Sequence, residues 1–222
     1  GAADAVARRG RPAAAVTPRE RALPARLVLA TGNAGKLREM RAILAPWGVD
    51  VRPQSEFTRA AAEETGLSFV ENALLKARFA AEVSGLPAIA DDSGLEVDAL
   101  HGAPGIYSAR YAGPGADDAA NNERLLGDLE TVPDAERTAR YRCAMVYLRW
   151  ALDPAPLVCQ ASWEGRIGRL PRGRGGFGYD PLFLVDDGSQ TAAELEAAHK
   201  NEVSHRGRAL RALVAELVGD AP

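Results

Sequence analysis

The sequence is poor in the residues that mark several large classes of protein. Its 222 residues include two cysteines and three histidines, too few for a four-ligand zinc site without further partners. We expect Cys143 and Cys159 to be buried free thiols, because both lie in apolar runs that are typical of strands. No apolar run approaches the roughly 20 residues of a membrane helix. Zinc-binding, disulfide-stabilised and membrane-spanning classes are therefore disfavoured.

Positive charge is also scarce. The chain carries 27 Lys and Arg against 30 Asp and Glu, a net charge of −3, whereas nucleic-acid-binding domains usually have a basic excess. Hydrophobic residues make up 46% and charged residues 26%, which is ordinary for a globular protein. We therefore expect a cytoplasmic globular protein with no nucleic-acid or membrane partner. Any phosphate binding must depend on local positive charge.

The N-terminal segment differs in composition from the rest of the chain. Residues 1–25 are rich in Ala, Arg and Pro and lack a sustained apolar period, which predicts a flexible extension. A transit peptide is the alternative, but Asp4 and Glu20 fit it poorly. Residues 26–222 are predicted to form a single domain. Strand-like and helix-like segments are mixed in it without a repeat, which predicts an α/β or α+β fold with a mixed sheet.

Capping residues indicate where the helices begin. Ser68 is followed three residues later by Glu71, and this spacing predicts the clearest helix of the chain. Thr191 and Glu194 have the same spacing and predict a helix near the C-terminus, and Ser204 can cap the last helix. Apolar runs predict strands at residues 27–30, 87–90, 140–150, 157–163 and 182–185.

The segment after the first predicted strand is the most informative part of the sequence. It reads Thr-Gly-Asn-Ala-Gly-Lys and opens a helix-like segment, where backbone N–H groups attract anions. Its spacing is not that of the phosphate-binding loop of the large NTPase class. An ordinary strand-to-helix turn would also favour Gly and Asn. We interpret the segment as a candidate phosphate loop, whose residues are Thr31, Gly32, Asn33, Ala34, Gly35 and Lys36.

Two pairs of acidic residues are candidates for a metal site. Asp91 and Asp92 follow a short strand that is predicted to end at Ala90, and Glu63 and Glu64 precede the helix that Ser68 caps. Carboxylates that meet a triphosphate usually hold Mg²⁺. Neighbours on an extended chain point in opposite directions, so one of the two aspartates should bind metal while the other turns elsewhere. The alternative is a capped loop of solvated acids.

A polar stripe is predicted on one helix. Asn72 and Lys76 are four residues apart, so they share one face, and the surrounding positions are apolar. These side chains could contact a substrate. Alternatively, the stem of Lys76 could pack on apolar neighbours while its ammonium group reaches solvent.

Two C-terminal segments combine aromatic, charged and glycine residues. Phe177 and Asp180 lie in a glycine-rich loop, where an exposed ring beside a carboxylate can stack on a base and read its edge. The alternative is a hairpin entry with one core Phe. His205 and Arg206 follow Ser204 at the start of the last helix, where N–H groups and a guanidinium can converge on a ligand. The alternative there is a capped surface helix.

Six motifs follow one another along the chain. They are Thr-Gly-Asn-x-Gly-Lys, Glu-Glu-Thr-Gly with Phe-x-x-Asn-Ala-x-x-Lys-Ala, Ala-Asp-Asp-Ser-Gly-Leu, Gly-Ala-Pro-Gly-Ile-Tyr-Ser-Ala-Arg-Tyr, Gly-Gly-Phe-Gly-Tyr-Asp-Pro and Ser-His-Arg-Gly-x-Ala-Leu. In type and order they resemble the inosine/xanthosine triphosphate pyrophosphatase family, which removes deaminated purine nucleotides. The resemblance covers about residues 27–213, and no motif position departs from the family pattern.

The resemblance implies a fold and a reaction. The fold would be an elongated mixed α/β sheet with flanking helices and two lobes, an active-site cleft between them, and a homodimeric assembly. The reaction would cut a purine nucleoside triphosphate (ITP, dITP or XTP) between its α and β phosphorus atoms with Mg²⁺. The products would be the monophosphate and pyrophosphate.

The resemblance also implies roles for the phosphate-binding and metal-binding residues. The loop of residues 31–36 should hold the triphosphate, and Asn72 and Lys76 should contact phosphates. Lys76 should also counter the charge of the departing pyrophosphate. Glu63 and Asp92 should hold Mg²⁺, and Asp92 should be the base for the attacking water. Preorganised charges of this kind are what a metal-assisted hydrolysis requires.

The base pocket follows from the same resemblance. Donors such as Arg206 or the amides of Gly178 and Tyr179 would pair with the 6-oxygen of a deaminated purine and leave the amino group of adenine unpaired. Such a mismatch costs roughly 1–3 kcal/mol, so adenine should lose on the order of 10- to 100-fold. Ser93 should lie near the substrate, and the base pocket should consist of Phe177, Gly178, Tyr179, Asp180, Lys200, His205 and Arg206.

Other functions remain compatible with some of these residues. A pyrophosphatase of similar architecture could act on modified pyrimidine nucleotides instead. A nucleotide sensor without turnover would lack the metal-binding acids, which are present here. A nucleic-acid-binding module is disfavoured by the net charge of −3.

Overall fold

The computed structural model describes residues 23–186 and 188–218. The first 22 residues of the predicted N-terminal extension therefore lie outside the described part of the chain. Its last three residues are described and belong to the packed domain. Leu23 packs against an apolar core, and the carbonyl of Ala25 accepts a hydrogen bond of 2.9 Å from the N–H of Asp50.

Within the described residues, the chain forms seven strands and five α-helices. The strands are β1 (Arg26–Leu29), β2 (Asp50–Pro53), β3 (Ala88–Val97), β4 (Thr138–Leu148), β5 (Leu157–Ile167), β6 (Phe183–Val185) and β7 (Gln190–Thr191). The helices are α1 (Ala34–Leu44), α2 (Phe69–Ser84), α3 (Asp118–Asp128), α4 (Ala197–Val203) and α5 (His205–Val218).

The described strands form one mixed sheet in the order β2-β1-β3-β4-β5-β6-β7. β1 runs parallel to both β2 and β3, and every pairing from β3 to β7 is antiparallel. Helices cover the parallel end because parallel strands need crossover connections. The predicted mixed α/β class is confirmed.

The predicted end of the third strand is wrong. β3 does not stop at Ala90 but continues to Val97, and it pairs with β4 along its whole length. Asp91 lies opposite Met145, and Asp92 lies opposite Ala144. The ladder with β4 therefore overrides the local preference of Asp, Ser and Gly for a turn. Two carboxylates lie in the middle of a strand as a result.

Three apolar cores fix the sheet between the helices. α1 and α5 pack on one face around Leu29, Met40 and Leu213, and the small side chains of α2 cover the opposite face. A third core surrounds Tyr141 and Phe183 at the other end of the sheet. β3 and β4 contribute residues to all three cores, so these two strands connect both ends of the domain.

The predicted helix caps are only partly confirmed. Ser68 caps α2 by accepting a 3.2 Å hydrogen bond from the N–H of Glu71, and Ser204 accepts one of 3.2 Å from Gly207 in α5. Thr191 and Glu194 do form the predicted capping box, but it caps a single turn of 3₁₀-helix at Ala192–Glu194. The α-helix predicted to follow begins only at Ala197, because Leu195 is extended.

The described part of the chain contains no helix with the length and apolarity needed to cross a membrane. Cys143 and Cys159 are both free thiols, as predicted; Cys143 is buried, but Cys159 is only half-buried, so the prediction that both are buried is wrong for Cys159. Burial raises the pKa of the Cys143 thiol to about 12, so the sulfur stays protonated and packs as an apolar group.

A buried arginine just before β4 binds the ends of α3 and β5. Arg137, which is 2% exposed, donates to the carbonyl of Leu129 at 2.6 Å, of Ile167 at 2.8 Å and of Gly168 at 2.9 Å. These carbonyls lie at the end of α3 and at the end of β5. One guanidinium thus donates to three buried acceptors, of which the Leu129 carbonyl also accepts a 3.1 Å hydrogen bond from the N–H of Val132.

Arg137→Ala should lower the free energy of unfolding by about 3 kcal/mol, because the buried carbonyls of Ile167 and Gly168 lose the guanidinium donor and that of Leu129 keeps only its backbone donor. Urea unfolding followed by circular dichroism measures this change. Arg169→Ala is the matched control, since Arg169 also donates to the carbonyl of Val132 but is largely exposed. It should cost less than about 1 kcal/mol. Equal losses in both variants would contradict the role assigned to Arg137.

Candidate active site

One cleft gathers most of the residues that the sequence predicts to be functional. It lies between the phosphate loop, the middle of β3, the glycine-rich loop before β6 and the start of α5. The predicted residues that line it are Thr31, Gly32, Asn33, Lys36, Lys76, Asp92, Ser93, Phe177, Gly178, Tyr179, Asp180, Lys200, His205 and Arg206. Four others do not line it: Ala34, Gly35, Glu63 and Asn72.

The phosphate loop is preorganised by its own side chains. Thr31 Oγ1 accepts a hydrogen bond of 3.1 Å from the backbone N–H of Asn33. Asn33 Oδ1 accepts one of 3.0 Å from the backbone N–H of Lys36. Asn33 is thereby the N-cap of α1, whose first turn contains no acidic residue. The loop therefore presents a helix N-terminus to the cleft without a local negative charge to weaken it.

Gly35 has a packing role that the sequence reasoning did not anticipate. It is buried, and a Cβ atom added to it would collide with Cδ1 of Phe177. The phosphate loop and the glycine-rich loop can therefore pack closely only because position 35 has no side chain.

The two adjacent aspartates of β3 face opposite sides of the sheet, as the alternation of an extended chain requires. Asp91 contacts Lys36 Nζ at 3.0 Å and Arg206 Nε at 3.2 Å. Asp92 instead contacts Lys76 Nζ of α2 at 2.7 Å. The expectation that the two carboxylates would separate is therefore met, and each serves a different group of cations.

Asp91 is a fully buried anion. Burial alone would raise the pKa of Asp91, but the Lys36 ammonium and the Arg206 guanidinium hold it well below its usual range. Ser93 Oγ also donates to Asp91 at 3.0 Å. This carboxylate therefore stays ionised and fixes one cation from the phosphate loop and one from α5.

Lys76 joins the two carboxylates that suit a metal ion. Its ammonium lies 2.7 Å from Asp92 Oδ1 and 2.9 Å from Glu64 Oε1. Burial raises the pKa of Asp92, although Lys76 opposes the shift. Asp92 Oδ2 is buried and has no hydrogen-bond partner among the described residues. Two carboxylates around one cation, with a spare oxygen, are a donor set that Mg²⁺ accepts.

The structure places Glu64 rather than Glu63 in this cluster. Glu64 lines the cleft, whereas Glu63 is exposed outside it. Both residues precede α2 in irregular backbone, and the contact with Lys76 turns Glu64 inward. The sequence could not distinguish the two because the motif contains both acids side by side.

Asn72 does not line the cleft but fixes the backbone next to Glu64. Its side chain is fully buried, and its Oδ1 accepts a hydrogen bond of 2.8 Å from the N–H of Gly66. A Cβ atom on Gly66 would approach the Asn72 and Glu71 side chains too closely. Asn72 and Gly66 therefore fix the turn that follows Glu64.

The predicted base pocket contains an aromatic ring that lies close to two cations. Lys200 Nζ lies 5.1 Å and Arg206 Cζ 5.3 Å from the centroid of the Phe177 ring. Lys200 also forms an ion pair of 2.6 Å with Asp180, which accepts a 2.9 Å hydrogen bond from the Phe177 N–H. Burial raises the pKa of Asp180, and Lys200 opposes that shift. These contacts define the position of the ring.

His205 is held neutral at the bottom of the cleft. Its ring stacks on Tyr141 with a centroid distance of 4.6 Å. Burial and the neighbouring Arg206 and Lys200 charges hold the pKa of His205 well below its ordinary value. Its Nδ1 is buried without a partner among the described residues, so a polar atom is left for a ligand.

Three residues of the cleft region were missed by the sequence reasoning. Glu39 of α1 binds both Lys200 at 2.8 Å and Arg206 at 2.5 Å, and its position three residues after Lys36 could have indicated it. Tyr141 and Asp118 line the cleft from β4 and α3. Nothing in the local sequence distinguishes these two from ordinary strand and helix residues.

A mixed α/β domain with a cleft of paired carboxylates and cations beside a helix N-terminus defines a phosphate-processing enzyme. The chain belongs to the Ham1 family, whose model matches residues 27–216. This membership confirms the resemblance and the predicted enzyme class, a nucleoside triphosphate pyrophosphatase.

The similar proteins cover nearly the whole domain. A protein of Thioalkalivibrio sulfidiphilus named dITP/XTP pyrophosphatase is 61% identical over 87% of this chain and 99% of its own. A solved HAM1 protein from Coxiella burnetii matches with a TM-score of 0.78 and 49% identity, over 86% of this chain and 96% of that one. The Ham1 protein of Staphylococcus aureus has a TM-score of 0.76 and 40% identity, over 88% and 100%.

Asp91→Asn should destabilise the folded enzyme by about 3–5 kcal/mol at neutral pH, because it removes the anion of Lys36 and leaves Arg206 with Glu39 alone. Because the pKa of Asp91 is lowered on folding, its contribution is present above the unfolded pKa and is lost as the pH falls. The difference from wild type should therefore shrink below about pH 4. Urea unfolding across this pH range measures it.

Asp50→Asn is the control for this prediction, since Asp50 forms an exposed ion pair with Arg26. It should leave the free energy of unfolding nearly unchanged. A loss in Asp91→Asn that does not depend on pH would contradict an ionised Asp91.

Proposed function

We propose that the protein hydrolyses deaminated purine nucleoside triphosphates (ITP, dITP and XTP) to the monophosphate and pyrophosphate in a Mg²⁺-dependent reaction. The enzyme would thereby remove these nucleotides from the nucleotide pool, as a homodimer in the cytoplasm. One observation carries the proposal: Glu64 and Asp92 converge on Lys76 within the cleft that the phosphate loop opens.

The charges of the cleft favour a metal ion together with a triphosphate. Within the described residues, no cluster of three or more His, Cys, Asp and Glu could hold a metal by itself. Glu64 and Asp92 would therefore hold Mg²⁺ together with phosphate oxygens and water, which is the usual manner for this ion. When bound, the ion would neutralise phosphate charge and polarise the reacting phosphorus.

Side chains and backbone groups of the cleft would bind the triphosphate, accept a proton and neutralise the leaving group. The N–H groups at the start of α1 and the Lys36 ammonium, which lie at the cleft, would bind the triphosphate. Asp92 would accept the proton of the water that attacks the α-phosphorus. The bond from that phosphorus to the bridging oxygen breaks, and Lys76 would neutralise the negative charge that the pyrophosphate carries away.

Base selectivity would come largely from charged side chains. Lys200 and Arg206 both lie close to the Phe177 ring, and both can donate to an oxygen at the 6-position. Adenine carries an amino donor there and would meet a cation instead of an acceptor. The sequence also suggested the Gly178 amide as a donor, but that N–H already donates to Asp118 at 2.7 Å. The proposed donors to the 6-oxygen are therefore Lys200, Arg206 and the Tyr179 amide, which the sequence also suggested.

Pyrophosphate release from ITP and from ATP tests this function directly. With Mg²⁺, release from ITP should exceed release from ATP by at least about tenfold, because one mismatched buried donor costs that much. EDTA should abolish the reaction. Asp92→Asn should do the same without unfolding the protein. Equal rates with the two nucleotides would contradict the proposed base selectivity.

Glu64→Gln and Glu63→Gln together test the metal site. The first should raise the Mg²⁺ concentration needed for half-maximal rate by about tenfold, because one of two carboxylate ligands is lost. The second is its matched control and should behave as wild type, because Glu63 lies outside the cleft. Titration of the rate with Mg²⁺ measures both. The reverse result would assign the metal to Glu63, as the sequence resemblance implies.

A further inference from the structure

The first two turns of α3 hold the glycine-rich loop at a single residue. Asp118 Oδ2 accepts the Gly178 N–H at 2.7 Å, and Asn122 Nδ2 donates to the Gly178 carbonyl at 2.9 Å. Asp118 and Asn122 are four residues apart and therefore lie on one face of the helix. We call this pair the α3 clamp.

Gly178 is the residue on which the shape of the loop depends. Its φ of +62° lies in the left-handed region, and it directly follows Phe177, whose ring faces the cleft. Asp180 fixes the Phe177 N–H from one side of the loop. The α3 clamp fixes the two peptide groups that follow, so a displacement of the backbone that carries the Phe177 ring would have to break it.

The helix that carries the clamp is itself anchored. The side chain of Asn121, which is 3% exposed, accepts from the N–H of Ala112 at 2.8 Å and donates to the carbonyl of Ala109 at 3.2 Å. Ala109 also lines the cleft. α3 therefore connects two walls of the cleft. Its hydrogen bonds to residues 109 and 112 fix the position of the helix that carries the clamp.

We propose that Asp118 and Asn122 are positioning residues for base recognition. They hold Gly178 so that Phe177 presents its ring to the base, and they occupy the Gly178 N–H so that the base cannot be read through that amide. The clamp itself follows from the contacts, and only the identity of the base rests on the proposed function.

Stability alone does not account for the clamp. Asn122 Oδ1 is buried without a partner among the described residues, an arrangement that an apolar side chain would avoid. Asp118 is exposed to solvent on its outer side while lining the cleft on its inner side. Such a residue contributes little to the core, yet it controls an amide at the ligand surface.

The kinetic test uses Asp118→Ala with two companions. Asp118→Ala should raise KM for ITP about tenfold and change kcat less than about threefold, because the base end loosens while the reacting end is intact. The inhibition constant of IMP should rise by the same factor, and that of inorganic pyrophosphate should not change. Asp118→Asn keeps an oxygen acceptor and should stay within about threefold of wild type.

Asp117→Ala is the matched control. Asp117 caps the same helix by accepting a 2.8 Å hydrogen bond from the Ala120 N–H, and it makes no contact with Gly178. If Asp117→Ala raised KM for ITP as much as Asp118→Ala, the effect would come from fraying of α3 and the clamp would be overturned. An increase in the inhibition constant of pyrophosphate in Asp118→Ala would overturn it as well.

A nucleotide-free measurement separates the clamp from the proposed function. In enzyme labelled with ¹⁵N-glycine, the amide resonance of Gly178 should shift, and its hydrogen exchange should accelerate, in Asp118→Ala but not in Asp117→Ala. An unchanged Gly178 amide would overturn the clamp whatever the substrate is. Absence of ITP turnover in wild type with the expected amide shift would instead contradict the proposed function alone.

Discussion

The rest of the site depends on one buried anion, the carboxylate of Asp91. It holds Lys36 of the phosphate loop and Arg206 of α5, so the two ends of the cleft share a counter-charge. From Arg206 the network continues through Glu39 to Lys200. Removing any one member would leave a buried charge uncompensated, which costs several kcal/mol. The phosphate end and the base end are therefore held in one electrostatic arrangement before any ligand arrives.

The alternation of side chains along β3 places the two aspartates on opposite faces of the sheet, where each can have a different role. Because pairing with β4 continues past Asp91 and Asp92, the two carboxylates must point to opposite faces. The face toward α1 and α5 carries the fixed ion pairs, and the face toward α2 carries the Lys76 cluster. Each carboxylate keeps one oxygen without a partner among the described residues, but Asp91 contacts two cations, Lys36 and Arg206, whereas Asp92 contacts Lys76 alone. One sequence motif thus supplies a structural anion and the proposed catalytic one.

The sequence could predict the chemistry of the site better than its geometry. The phosphate loop, the separation of the two aspartates and the mixed α/β class follow from local rules of capping, alternation and composition. The choice of Glu64 over Glu63 could not, because it depends on a contact with Lys76 from another element. The extension of β3 past Ala90 depends on β4, and the need for Gly35 depends on Phe177, more than 140 residues away. Tertiary contacts decided each of these points.

The carboxylates that line the cleft outnumber its cationic side chains, which affects how the cleft can accept a polyanion. Four cationic side chains line it against five carboxylates, and the buried His205 is neutral. The cations are Lys36, Lys76, Lys200 and Arg206, and the carboxylates belong to Glu64, Asp91, Asp92, Asp118 and Asp180. A cleft with an excess of carboxylates repels a triphosphate unless further positive charge enters with it.

The position of that excess favours one end of the cleft. Among the lining residues, two carboxylates share the Lys76 ammonium, and the partly exposed Arg110, outside the lining, lies 3.7 Å from Glu64. Each cation of the predicted base pocket instead has its own counter-charge within the ion-pair network. A divalent cation that enters with the phosphates would therefore be drawn to Glu64 and Asp92. The base end is already balanced, so it would discriminate by hydrogen-bonding pattern rather than by net charge.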